Sequence, residues 1–286
     1  MIRSLVTLQD YKSAPSFRRS AGGSSGSVFV PSPTNPDLWG WYTGDESYTD
    51  TGCTVKATNG QSVAGMKNLS TRSGAAPNLI QVTGGYRPTR INNDFGVFPS
   101  VYQDPAGQGT MEMALSPSKA APLAIFIVAK ITTGYPGVNS FYWCGGQTDA
   151  SPAGQGWSGY GDVNPTPGKI ALYWTENNGG SIPTNGYPSV AMGMDFTNFH
   201  ILSQAVGFPI KEMCALVDNN SSGQPFFSPM TTFRIGHYIN GSTSSPGIHW
   251  CECLIIDNEN YVDLSGSYAK SVLRYFNNKY SMGLTI

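Results

Sequence analysis

The residues able to do chemistry are few and scattered. The three histidines, His200, His237 and His249, each sit alone in a strand-like run, with no Gly-x-Ser-x-Gly turn to supply a nucleophile. The nearest acidic pair on one strand, Glu252 and Asp257, has the wrong spacing for paired-carboxylate hydrolysis. Gly107-Gln108-Gly109 and Gly145-Gly146 do not lead into a helix and so cannot cradle phosphate at a helix start. Asp149, Asp162, Asp218 and Asn219 carry oxygen ligands, but no spacing joins them into a cation site. No metal and no cofactor is expected.

Aromatic residues are the better lead. The stretch from Gln147 to Asp162 reads as a loop that sets Trp157 and Tyr160 among small polar residues. Tyr173 and the pair Asn177 and Asn178 follow closely. Sugar rings stack on Trp and Tyr faces beside Asn hydrogen-bonding groups, so these five residues form a candidate carbohydrate site. The alternative is that Trp157 plugs the sheet or packs against another subunit.

Composition limits what surrounds such a site. At 286 residues, with 34 Gly, 20 Pro and only 12% charged residues, the chain favours short strands and turns over Glu- and Lys-rich helices. A net charge of −1 argues against nucleic acid as partner. The longest apolar run, 120–129, is too short to span a membrane, so no membrane insertion is expected; no secretory signal is evident at the start. The five cysteines are odd in number, and Cys251 and Cys253 should share one face of a strand. They read as free thiols of a protein made in a reducing cytoplasm.

The order of elements is legible in pieces. Residues 1–35 read as an arm with a flexible Ser20–Ser27 linker. Strands are expected at 35–42, 78–83, 123–129, 140–144, 169–174, 199–206, 212–217, 231–238 and 249–257. The 123–129 run is apolar on both faces, which marks a central strand. A helix is expected over about 265–279, capped by Ser265 or Ser267 and stopped at Gly283.

This sequence resembles the concanavalin A-like jelly rolls of the laminin-G-like group. Phe233-Arg234-Ile235-Gly236, then Glu252-Cys253-Leu254-Ile255-Ile256-Asp257, then Tyr275-Phe276-Asn277-Asn278-Lys279-Tyr280 follow that family's closing pattern. Leu38, Trp39, Trp41 and Asp45 match its opening strand; the Met66–Gly74 loop, Arg87-Pro88 and the Asn92–Tyr102 strand are similar to its next segments. The resemblance covers 36–286 and implies an all-β fold: a two-sheet antiparallel jelly-roll sandwich with one short C-terminal helix and an extended N-terminal arm. The resemblance also implies that Glu252 braces backbone groups. Glucanases of this fold carry a Glu-x-Asp-x-x-Glu strand, which is absent here, so the expectation is no enzyme. The resemblance implies instead a virion structural or adhesion protein of a bacteriophage tail fibre, baseplate or capsid surface. It would be made in the host cytoplasm, homo-oligomeric, joined to other virion subunits by its arm, and able to bind host-surface glycan. The other reading is a bacterial carbohydrate-binding or adhesion module.

Overall fold

The computed structural model describes residues 29–104, 109–119, 123–132, 140–146, 156–161, 169–173, 192–193, 199–206, 212–214, 230–236, 247–263 and 266–286. Its strands in chain order are β1 (Leu38–Thr43), β2 (Ser47–Tyr48), β3 (Gly65–Met66), β4 (Leu79–Ile80), β5 (Thr89–Phe95), β6 (Phe98–Gln103), β7 (Thr110–Lys119) and β8 (Leu123–Thr132). They continue with β9 (Ser140–Gly146), β10 (Gly156–Gly161), β11 (Lys169–Tyr173), β12 (Met192–Gly193), β13 (His200–Val206), β14 (Glu212–Cys214), β15 (Met230–Gly236) and β16 (Gly247–Ile256). One α-helix, α1 (Ser267–Tyr280), closes the sequence of elements.

Two antiparallel sheets result. The seven-stranded sheet runs β14-β13-β8-β16-β6-β5, with β1 also paired to β16; the nine-stranded sheet runs β12-β11-β10-β9-β15-β7-β4-β3-β2. The fold is therefore the all-β, two-sheet sandwich with a short C-terminal helix that the sequence implies. β8 is central, as its run of apolar residues requires. Ile125, Ile127 and Ala129 enter the core between the sheets, while Ala124, Phe126 and Val128 face the other way, into a second core under α1.

Several details depart from expectation. The Asn92–Tyr102 stretch is a hairpin, β5 turning into β6, with Asn93 and Gly96 at positive φ. β7 was not legible as a strand, although Met111, Met113 and Leu115 alternate into the inter-sheet core. The 156–161 segment is strand β10 instead of loop. Gly266 is the N-cap residue of α1 with no side-chain cap, and Ser281, at φ 51°, ends the helix two residues before Gly283. Residues 1–28 of the arm lie outside the described residues; Phe29 is buried against Tyr261 and Tyr275, with ring centroids 6.0 and 6.2 Å away.

The most consequential irregularity is in β16. Its register against β8 shifts between Trp250 and Glu252, so Cys251 is an extra residue. Simple alternation would send Glu252 into the inter-sheet core beside Trp250. The bulge returns it to the helix side. It also separates the two cysteines: Cys251 belongs to the core under α1 and Cys253 to the core between the sheets, not to one face.

Glu252 is fully buried there. Its Oε1 accepts from Trp41 Nε1 at 2.7 Å and Tyr275 Oη at 3.0 Å; its Oε2 accepts from Lys279 Nζ at 2.7 Å and Tyr280 Oη at 2.9 Å. The brace therefore joins side chains of β1, β16 and α1, where backbone groups were expected. Burial first, then the Glu252 charge, pushes both tyrosine hydroxyls far above their usual range, so they remain donors. Replacing Lys279 by Met leaves a buried carboxylate without its cation. It should cost about 3 kcal/mol in a urea unfolding series, and adding Glu252→Gln should restore much of the loss.

Candidate functional site

Two places bring polar or aromatic groups together on the outer faces of the sheets. The first follows from strand register in the nine-stranded sheet. Glu112 of β7 pairs with Arg234 of β15, Arg234 with Cys144 of β9, Cys144 with Ser158 of β10, and Ser158 with Tyr173 of β11. Arg234 Nε lies 2.7 Å from Glu112 Oε2, and both side chains are partly exposed between core-facing neighbours. The next row reads Met113, Phe233, Gly145, Trp157. Met113 and Phe233 are buried in the inter-sheet core. Tyr173 thus shares a row with the outward ion pair, and Trp157 shares one with core residues. Tyr160 pairs with Ala171, two positions along from the Ser158–Tyr173 pair. Asn177 and Asn178 lie outside the described residues.

The second place is on the seven-stranded sheet. Asp94 of β5 accepts from Lys130 Nζ of β8 at 3.0 Å, from Ser100 Oγ of β6 at 2.5 Å, and from His249 Nδ1 of β16 at 2.5 Å. Tyr102 of β6 lays its ring against the His249 imidazole, centroids 4.4 Å apart. Lys130 Nζ also sits 4.8 Å from the centre of the Phe199 ring, which stacks on Phe95. This is not a nucleophilic triad. Such a triad needs the histidine between serine and carboxylate, whereas here Ser100 donates directly to Asp94. Four strands supply the four polar partners, so no local motif could have revealed them. Only register brings them together.

Burial raises the Asp94 carboxyl's pKa, but hydrogen bonds from His249, Ser100 and Lys130 outweigh it and hold the group well below the usual carboxylate range. Among the described residues no group of three or more His, Cys, Asp or Glu could hold a metal ion. None of their helices is long and apolar enough to cross a membrane.

No protein-family model matches the sequence, and no curated protein does. Solved structures are similar in fold. The Trypanosoma rangeli sialidase in complex with sialic acid superposes with a TM-score of 0.52 at 9% identity, over 90% of this chain and 36% of that one. The same sialidase with a difluoro-KDN ligand gives 0.53 at 10% identity, over 93% and 36%. A domain of a GH43 arabinanase from Geobacillus stearothermophilus reaches only 0.42 at 11% identity, over 82% and 98%. This chain spans little more than a third of the sialidase's length.

That likeness overturns the expectation of no enzyme. The fold occurs in the structure of a glycoside hydrolase, and the missing Glu-x-Asp-x-x-Glu strand speaks only against one arrangement of catalytic groups.

The Asp94 cluster makes a pH prediction. A carboxyl held low in the folded protein stays charged at pH values where the unfolded chain, with an aspartate pKa of about 3.9, has bound its proton. Its stabilisation is therefore present above that value and is lost as the pH falls below it. Melting temperature should drop on acidification below about pH 4, and Asp94→Asn should flatten that slope while lowering stability near neutral pH.

Proposed function

We propose that this sandwich is a carbohydrate-recognition module that binds saccharide on the outer face of its nine-stranded sheet. The observation that carries the reading is the register row Glu112, Arg234, Cys144, Ser158, Tyr173, with Tyr160 on the neighbouring strand position. An ion pair and a tyrosine in one register row, with a second tyrosine two positions along on the next strand, are groups suited to hold sugar hydroxyls and ring faces. The likeness in fold to a sialidase solved with sialic acid supports the same ligand class. It favours the carbohydrate-binding or adhesion module over the virion component.

The test is a glycan array probed with the full chain, covering acidic and neutral saccharides, followed by the same array with variants. Binding to a defined set is expected. The double variant Tyr160→Ala/Tyr173→Ala should lose that binding at nearly unchanged melting temperature. An array that stays empty defeats the reading, and binding that survives the double variant removes this row as its site. Trp157→Ala separates its two roles: lost binding at constant melting temperature puts it at the site, and a fall of several degrees puts it with Phe233 and Met113.

A further inference from the structure

The outer face of the seven-stranded sheet changes character along β16. Under α1 it is mostly apolar, with Phe126, Val128, Cys251 and Leu254 around the Glu252 carboxylate. Nearer the start of β16 one register row reads Thr89, Tyr102, His249 and Lys130, contributed by β5, β6, β16 and β8. All four side chains are partly exposed. Neighbouring strands are about 4.8 Å apart, so the row sets the four residues at even backbone steps along one face.

The chemistry of the row is fixed from beside it. An ionised carboxylate only accepts, so the 2.5 Å contact to Asp94 makes Nδ1 the protonated nitrogen of His249. Nε2 is the ring's other hydrogen-bonding atom. Asp94 also pairs with Lys130 at 3.0 Å, which cancels the ammonium charge locally. What remains is a threonine hydroxyl, a tyrosine hydroxyl with its ring face, an imidazole nitrogen and an ammonium donor already paired with a carboxylate. A phosphate or a nucleic acid would need uncompensated positive charge. An uncharged polyhydroxyl compound needs the alternation of donors, acceptors and a ring face that is present.

We infer that Thr89, Tyr102, His249 and Lys130 form a second saccharide-binding row, on the sheet opposite the first, that takes the hydroxyls of a neutral sugar. The inference rests on the carbohydrate reading above and adds a separate site and a ligand charge to it.

The experiment uses the full chain carrying Tyr160→Ala/Tyr173→Ala, so that the first face is silent, with its histidine rings isotope-labelled. Lactose and 3′-sialyllactose are titrated separately and followed by NMR. Both should shift the His249 ring signals with similar affinity, because the added carboxylate finds no free cation. Tyr102→Phe removes one hydroxyl, keeps the ring packing and should weaken binding about five-fold at constant melting temperature. Unchanged affinity in Tyr102→Phe, together with His249 signals that do not move, overturns the inference. So does binding of sialyllactose with none of lactose, and so does no binding of either. In each case the first face stands or falls separately, on the array with the unsubstituted chain.

Discussion

One buried carboxylate ties the last helix to the sandwich across an otherwise apolar contact. Glu252 is buried with all its partners donating: an indole, two phenols and an ammonium from β1 and α1. A buried charge of this kind is tolerated only when its lone pairs are filled and a counter-charge is close. That requirement explains why α1 carries Tyr275, Lys279 and Tyr280 along one side, and why Trp41 turns its Nε1 toward β16. It also explains the bulge. Without the extra residue at Cys251 the carboxylate would point into the apolar layer between the sheets, where Trp250, Ile255 and Phe233 pack. The bulge and the hub are parts of one arrangement.

The same bulge bears on the neighbouring cluster. His249 lies on the outward side two residues before the irregularity, in register with Tyr102 and Lys130. Glu252 lies outward just after it. Two polar groups that simple alternation would place on opposite faces therefore share one. Tyr280 links them physically: its hydroxyl donates to Glu252 and its ring stacks on Phe95, the residue after Asp94. The helix clasp and the Asp94 cluster are thus adjoining polar regions on one sheet face, with an aromatic stack between them.

The fold was legible because its signals are local. The double-faced apolar run at 123–129, the alternation in 169–173 and the helical spacing of Tyr268, Val272 and Tyr275 each follow from backbone geometry within a few residues. What was not legible depends on pairing. Asp94, Ser100, Tyr102, Lys130 and His249 span 155 positions in sequence, and nothing in their immediate neighbours announces that they meet. Trp157 and Tyr173 are similar in kind yet fall in rows of different character, because register against β9 and β15 decides the row. The bulge was hidden for the same reason. Cys251-Glu252-Cys253 looks like plain alternation until β8 is set beside it.

The position of β16 in chain order has a consequence for how the protein is made. This strand pairs with β8 and β6 and, at its far end, with β1, whose Trp41 meets Glu252 across 211 positions. A chain emerging from the ribosome presents β1, β6 and β8 long before their common partner exists. Until residues 247–256 appear, those strands expose unpaired backbone edges and the apolar faces of two cores, the condition in which β chains associate wrongly. Closure of the sandwich is therefore a late, long-range event with a high entropic cost of loop closure. Efficient production should depend on how well the cell shields the incomplete sheet during that interval.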